Sequence, residues 1–199
     1  MAESGENDAM QAVTAWCEHG SVPPCADGSG AILIGSGSDV NGRALGALID
    51  AGRLGWVGRV NRIYGEAADV GTRTDFLFTY DDENRFWTED CLKRFGRVMP
   101  YGRLVNNQFR NDGCFYEECK RRLRLKHPTT GIQAAMYLMQ QGYRPKLVGF
   151  GFNGVHLVNP VKTYPDGSAD PKTGGRWHDF DRENMWLLRW HTEGKLTLL

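Results

Sequence analysis

The sequence predicts an α/β fold: a single domain with a mostly parallel sheet flanked by helices. Three observations lead there. The chain has 199 residues, 41% of them hydrophobic, which suits one folded domain with a real core. Compact apolar runs such as "AILIG" (31–35) and "KLVGFG" (146–151) read as buried strands. Segments of helical periodicity lie between such runs, and strand–helix–strand order implies right-handed crossovers and parallel pairing.

The elements follow in order. Residues 9–18 read as a short helix, broken by "PPCADGSG" at 23–30. The strand at 31–35 comes next. "NGRALGALIDAG" (41–52) predicts a helix with Ala44, Leu45, Leu48 and Ile49 on one face and Gly52 as its stop. "GWVGRVN" and "DFLFTY" (75–80) are further strands. An amphipathic stretch spans 87–96, a short strand 103–105 and a helix 115–125. "TTGIQAAMYLMQQG" (129–142) is the clearest helix: Ile132, Ala135, Met136 and Met139 keep the spacing of a buried face. Thr130 and Gln133 form a capping-box pattern, and Gly142 fits the C-terminal cap. After the strand at 146–151, residues 159–176 carry Pro, Gly and Asp without periodicity, the mark of a lid or binding loop. A helix over about 180–193 and a short strand, "KLTLL", complete the domain. No internal repeat or domain boundary interrupts residues 1–199; residues 1–30 form an N-terminal extension.

Charge and cysteine content exclude several classes. Lys+Arg and Asp+Glu both number 24, which argues against a protein that binds nucleic acid by phosphate neutralisation. "KRRLRLK" (120–126) reads as the solvated face of a helix. Five cysteines, at 17, 25, 91, 114 and 119, form no CxxC pair, so a reducing, cytoplasmic location is expected. Cys114, Cys119 and His127 fit no common zinc spacing. The N-terminus has no signal-peptide pattern, and no run approaches the roughly 20 apolar residues of a membrane span.

Chemistry concentrates in a few places. Eleven of the 25 glycines fall between residues 28 and 71. "IGSGSDVNG" follows a strand and precedes a helix, where α/β sheets bind nucleotides. Val40 stands where a dinucleotide fingerprint needs its third glycine, so a NAD oxidoreductase is disfavoured. "HPTTG" (127–131) sets hydroxyls and a glycine at a helix start, suited either to an anion or to plain capping. "YDDEN" (80–84) reads as a solvated acidic loop rather than a metal motif. In "GGRWHDFDREN" (174–184), His178 precedes a helix whose first turn carries Asp179 and Asp181. A neutral histidine there suits a general base; a histidine with no duty is the plainer alternative.

Three motifs stand in a telling order. "LIGSGSDVNGRALGALIDAGRLGWVGRVNRIYGEAADVGTRTDFLF" (33–78) contains Gly35, Gly42, Ile49-Asp50, Arg59-x-Asn61, Asp69-Val70-Gly71 and Arg73-Thr74. "PTTGIQAAMYLMQQGYRPKLVGFG" follows, and then His178 and Glu183 in an H-x4-E spacing. This set resembles the sialylmotifs of the sialyltransferases of glycosyltransferase family 29. There is some likeness to the bacterial family 42 enzymes.

The resemblance implies the metal-independent variant of the Rossmann-like GT-A transferase fold. It implies an inverting transfer of sialic acid from CMP-sialic acid to a glycan acceptor, with no metal and no cofactor beyond that co-substrate. Gly35, Ser36, Gly37, Asn61, Thr129, Thr130, Gly131 and Glu183 would bind the donor, and His178 would be the base. His156, with Tyr164 as a weaker candidate, would contact the leaving phosphate. The chain departs from the family in three respects. Ser36 replaces the usual Asn, Ala31 replaces a cysteine of the disulfide between motifs, and the third short motif is blurred. A CMP-Kdo transferase and a non-catalytic CMP-binding relic are the alternatives.

Overall fold

The computed structural model describes residues 30–61, 65–78, 114–158, 163–164, 167 and 178–199. The expected elements at 9–18, 87–96 and 103–105, the acidic "YDDEN" loop and most of 159–176 lie outside the described residues.

Five parallel strands form the main sheet among the described residues: β1 (Ala31–Ile34), β2 (Trp56–Val60), β3 (Phe76–Phe78), β4 (Pro145–Val148) and, at one edge, a two-residue strand at Thr197–Leu198. Their spatial order is β3-β2-β1-β4 and then the C-terminal strand. A separate antiparallel hairpin pairs β5 (Phe152–Asn153) with β6 (His156–Leu157), so the C-terminal strand Thr197–Leu198 is β7. The chain winds from β1 outward through β2 and β3, then returns to lay β4 on the other side of β1. The sheet therefore has a switch point between β1 and β4, the place where α/β sheets open a ligand crevice.

β1 is central and buried on both faces, which is why it reads as an unbroken apolar run rather than an alternating one. Ala31 and Leu33 join the core beneath α3 (Cys114–Leu123), α4 (Thr130–Gln140) and α5 (Phe180–Thr192). Ile32 and Ile34 join Val40, Ile49 and Val70 on the opposite face, under a short 3₁₀ turn (Ser38–Val40), α1 (Gly46–Asp50) and α2 (Ala67–Val70). The result is a three-layer α/β sandwich. Val40, in the fingerprint's third-glycine position, is fully buried in the second core.

Two expectations need correction. The helix expected over 41–52 is only Gly46–Asp50. Gly42 and Ala44 have φ of 75° and 52°, held by the Asp69 carboxylate, which accepts the N–H groups of Gly42 and Ala44 at 2.9 Å each. A tertiary contact thus overrides local helix propensity. Leu48, expected on the buried face, is exposed, whereas Ile49 is fully buried. At α4 the N-cap is Thr129, not Thr130: its hydroxyl accepts the Ile132 N–H. Gln133 turns inward, donating to the Pro128 and Thr129 carbonyls. Gly142 does follow α4 with φ 87°.

Candidate active site

The crevice at the switch point is built from two glycine turns packed back to back. Gly35 N–H donates to Val148 O at 2.8 Å and Gly37 N–H to Gly149 O at 2.9 Å. A Cβ on Gly35 would lie 2.2 Å from the Gly149 oxygen, so only glycine permits this approach. Asp39 fastens the second turn, accepting the N–H groups of Gly149 (2.9 Å) and Gly151 (2.8 Å). Burial pushes its carboxyl above the ordinary value, against the pull of those two backbone donors. Sequence reading passed over Asp39; the available signal was an acid inside a Gly/Ser turn directly after a buried strand.

Gly35, Ser36, Gly37, Thr129, Gly131 and Glu183 line this crevice together. Phe150, Phe180 and Asn184, which the sequence did not single out, also face it. Ser36 is 3% exposed, and its hydroxyl takes no partner among the described residues. A Cβ on Gly131 would come within 2.9 Å of the Phe150 ring.

Glu183 is buried and points at the start of α4. Its carboxylate accepts the Thr129 N–H at 2.8 Å and the Thr129 hydroxyl at 2.6 Å. It does from another helix what the glutamate of a capping box does locally. The N–H groups of Thr130 and Gly131, next in the first turn of α4, take no acceptor among the described residues. Five residues before Glu183, His178 docks on the same segment: its Nδ1 lies 2.7 Å from the His127 carbonyl oxygen. A carbonyl only accepts, so Nδ1 carries the proton, and a neutral ring then holds its lone pair on Nε2. His178 is not itself among the lining residues; its ring sits 5.7 Å from that of Phe180, which is. Asp179 caps α5, its carboxylate accepting the Arg182 N–H.

The other expected residues lie apart from the lining. Asn61 follows β2 in a left-handed conformation (φ 58°), while the preceding Val60 faces the crevice. His156 stands on the exposed hairpin β5–β6, outside the lining. Arg43 holds that hairpin to the first turn, donating to Asp39 O, Asn153 Oδ1 and Phe152 O. Thr163, within the expected lid loop, is pinned to the glycine turn: Ser38 N–H donates to Thr163 O at 2.8 Å, and the two hydroxyls are 2.7 Å apart.

Much of the long first motif is scaffold. Arg59 is 1% exposed and donates to Thr74 Oγ1 and to the carbonyls of Val70, Gly71 and Arg73. Burial lowers its guanidinium to about 10, with Asp50 and Asp75 pulling it back up. Asp50 accepts the N–H groups of Thr72 and Arg73. The basic run on α3 is a solvated face with Lys120–Glu117 and Arg122–Glu118 pairs. Cys119 packs against Met136 and His127 meets the Tyr116 hydroxyl, so the two do not converge on one site. No helix among the described residues is long and apolar enough to cross a membrane.

No family model matches the chain, and no curated protein matches it. Solved structures do, among them two of mammalian sialyltransferases. One is a mammalian sialyltransferase, with a TM-score of 0.54 and 20% identity over 86% of this chain and 68% of that one. The other is a mammalian sialyltransferase in complex with Gal-beta-1-3GalNAc-ortho-nitrophenol, with a TM-score of 0.54 and 19% identity over 86% and 69%. The chain thus has the α/β fold of the sialyltransferases.

Proposed function

We propose that this chain is an inverting sialyltransferase that moves sialic acid from CMP-sialic acid to a hydroxyl of a glycan acceptor. The observation that carries the reading is the docking of the H-x4-E segment on the Pro-Thr-Thr-Gly corner. Two contacts, His178 to His127 O and Glu183 to Thr129, bring the C-terminal motif to the mouth of the switch-point crevice.

In this reading the leaving CMP phosphate lies against the start of α4. The unengaged N–H groups of Thr130 and Gly131 receive it, and the helix dipole favours its charge. The Ser36 hydroxyl supplies a further hydrogen bond from the facing turn. Glu183 orients the corner by binding Thr129 rather than the donor directly. His178, held by its Nδ1–H, accepts the proton of the acceptor hydroxyl on Nε2 as that oxygen attacks the anomeric carbon. A single displacement inverts that carbon. Asn61, next to the crevice-lining Val60, borders the site in this scheme. No metal and no further cofactor take part.

The test is transfer and donor hydrolysis with CMP-sialic acid, in wild type and His178→Ala. Transfer by wild type, with the variant still binding CMP but slowed roughly 10²–10⁴-fold, supports the assignment. Turnover of CMP-Kdo alone would move the donor assignment to that sugar. Binding of CMP without turnover of either donor would make the chain a CMP-binding relic.

A further inference from the structure

A second cavity of about 540 Å³ opens at the opposite edge of the sheet, where α4 and α5 end and β4 begins. Its size falls within the range typical of small-molecule sites, about 300–1,000 Å³. Met136, Met139, Trp186 and Trp190 supply its apolar walls. The two indole rings lie 5.7 Å apart at 39°, and the Arg189 guanidinium sits 5.1 Å from the Trp186 ring centroid. Trp186 is anchored, its N–H donating to Leu123 O at 3.0 Å. Trp190 is 6% exposed and packs in the same wall.

The charged groups of the cavity are unequal. Arg122, Arg144 and Lys195 face one carboxylate, Glu193. Arg122 is already paired with Glu118, and Lys195 with Glu193, both at 2.7 Å. The guanidinium of Arg144 makes no ion pair or hydrogen bond among the described residues. An aromatic wall and a cation without an ion pair among the described residues converge in one space.

We propose that this cavity is a ligand site, distinct from the crevice, for a small organic anion with a flat aromatic body. The ring would lie against the tryptophans and methionines, and the anionic group would reach Arg144. Titration calorimetry and tryptophan fluorescence with 2-naphthoate test the assignment on the full chain. One saturable site per chain is expected. Arg144→Glu should weaken it about ten-fold or more, the loss of a charge-assisted hydrogen bond. The neutral 2-naphthamide should be weakened similarly. Met139→Arg should block binding by filling the cavity. Circular dichroism and thermal melts establish that both variants fold; if Met139→Arg does not, Arg144→Glu at the exposed rim carries the test. Absence of saturable binding to wild type, or undiminished affinity of 2-naphthoate for Arg144→Glu or of 2-naphthamide for wild type, would overturn the proposal.

Discussion

The Glu183 carboxylate grips both the N–H and the hydroxyl of Thr129, a residue 54 positions earlier, at 2.8 and 2.6 Å. Removing it leaves two donors at a helix start without their acceptor, at about 1–3 kcal/mol each. Glu183→Ala is therefore expected to lose about 3 kcal/mol of stability in urea unfolding. Thr129→Ala and the double variant complete a cycle, with an expected coupling of about 1–3 kcal/mol. Additive single effects would mean that the contact contributes nothing of its own.

Ser36 offers a nearly buried hydroxyl to the crevice with no described protein partner. Ser36→Ala should leave the melting temperature close to wild type. CMP affinity should drop by roughly 2–10-fold, the worth of one hydrogen bond of about 0.5–1.5 kcal/mol. Unchanged affinity in calorimetry would remove Ser36 from the donor site.

Three glycines should respond differently to alanine. At Gly35 the new Cβ meets the Gly149 backbone oxygen at 2.2 Å, and neither turn can retreat without opening the sheet. That variant is expected to fold poorly. At Gly131 the obstacle is the Phe150 ring at 2.9 Å, which can rotate, so the fold should survive while the crevice narrows and CMP binding weakens. At Gly142 there is open space but φ is 87°, so the expected loss is a strain of about 1 kcal/mol. Melting curves and CMP titrations separate the three.

Two aspartates should give pH dependences of opposite sign. Backbone donors at Ala44 and Gly42 hold the Asp69 carboxyl below its ordinary 3.8. Its contribution is present above pH 3.8 and is lost as pH falls through the lower folded value. Burial holds Asp39 above 3.8, so the folded state retains that proton longer, and stability declines as pH rises from 3.8 through the folded value. Relative to wild type, Asp69→Asn should improve as pH falls, and Asp39→Asn as pH rises. Parallel stability curves from urea titrations at several pH values would contradict this.

Arg59 is the buried fork that joins β2 to the loop over residues 70–74. Arg59→Lys keeps the charge but cannot reproduce several directed N–H groups. A loss of about 3 kcal/mol or more is expected, because a buried cation with fewer partners is costly. A variant as stable as wild type in urea would show that Arg59 is not the fastening.

Local patterns carried much of the fold. β1 and β4 were legible as apolar runs because a central parallel strand is buried on both faces. α4 and α5 were legible because they pack one side on a core, and packing prints a period of 3.6 on the residues. The hairpin 152–157 was missed although Asn153-Gly154 is a known turn signal. Six residues carry too short a pattern to stand out beside a strand and a loop.

Composition and periodicity were enough to specify strands, helices and the glycine turns, since each arises from interactions within one stretch of chain. Pairing across the fold was another matter. Asp39 clasping Gly149 and Gly151, Asp69 cutting α1 short, and Glu183 capping α4 join residues 25 to 112 positions apart. Such contacts exist because β4 returns beside β1, bringing distant loops to one edge of the sheet, and no local propensity encodes that arrival.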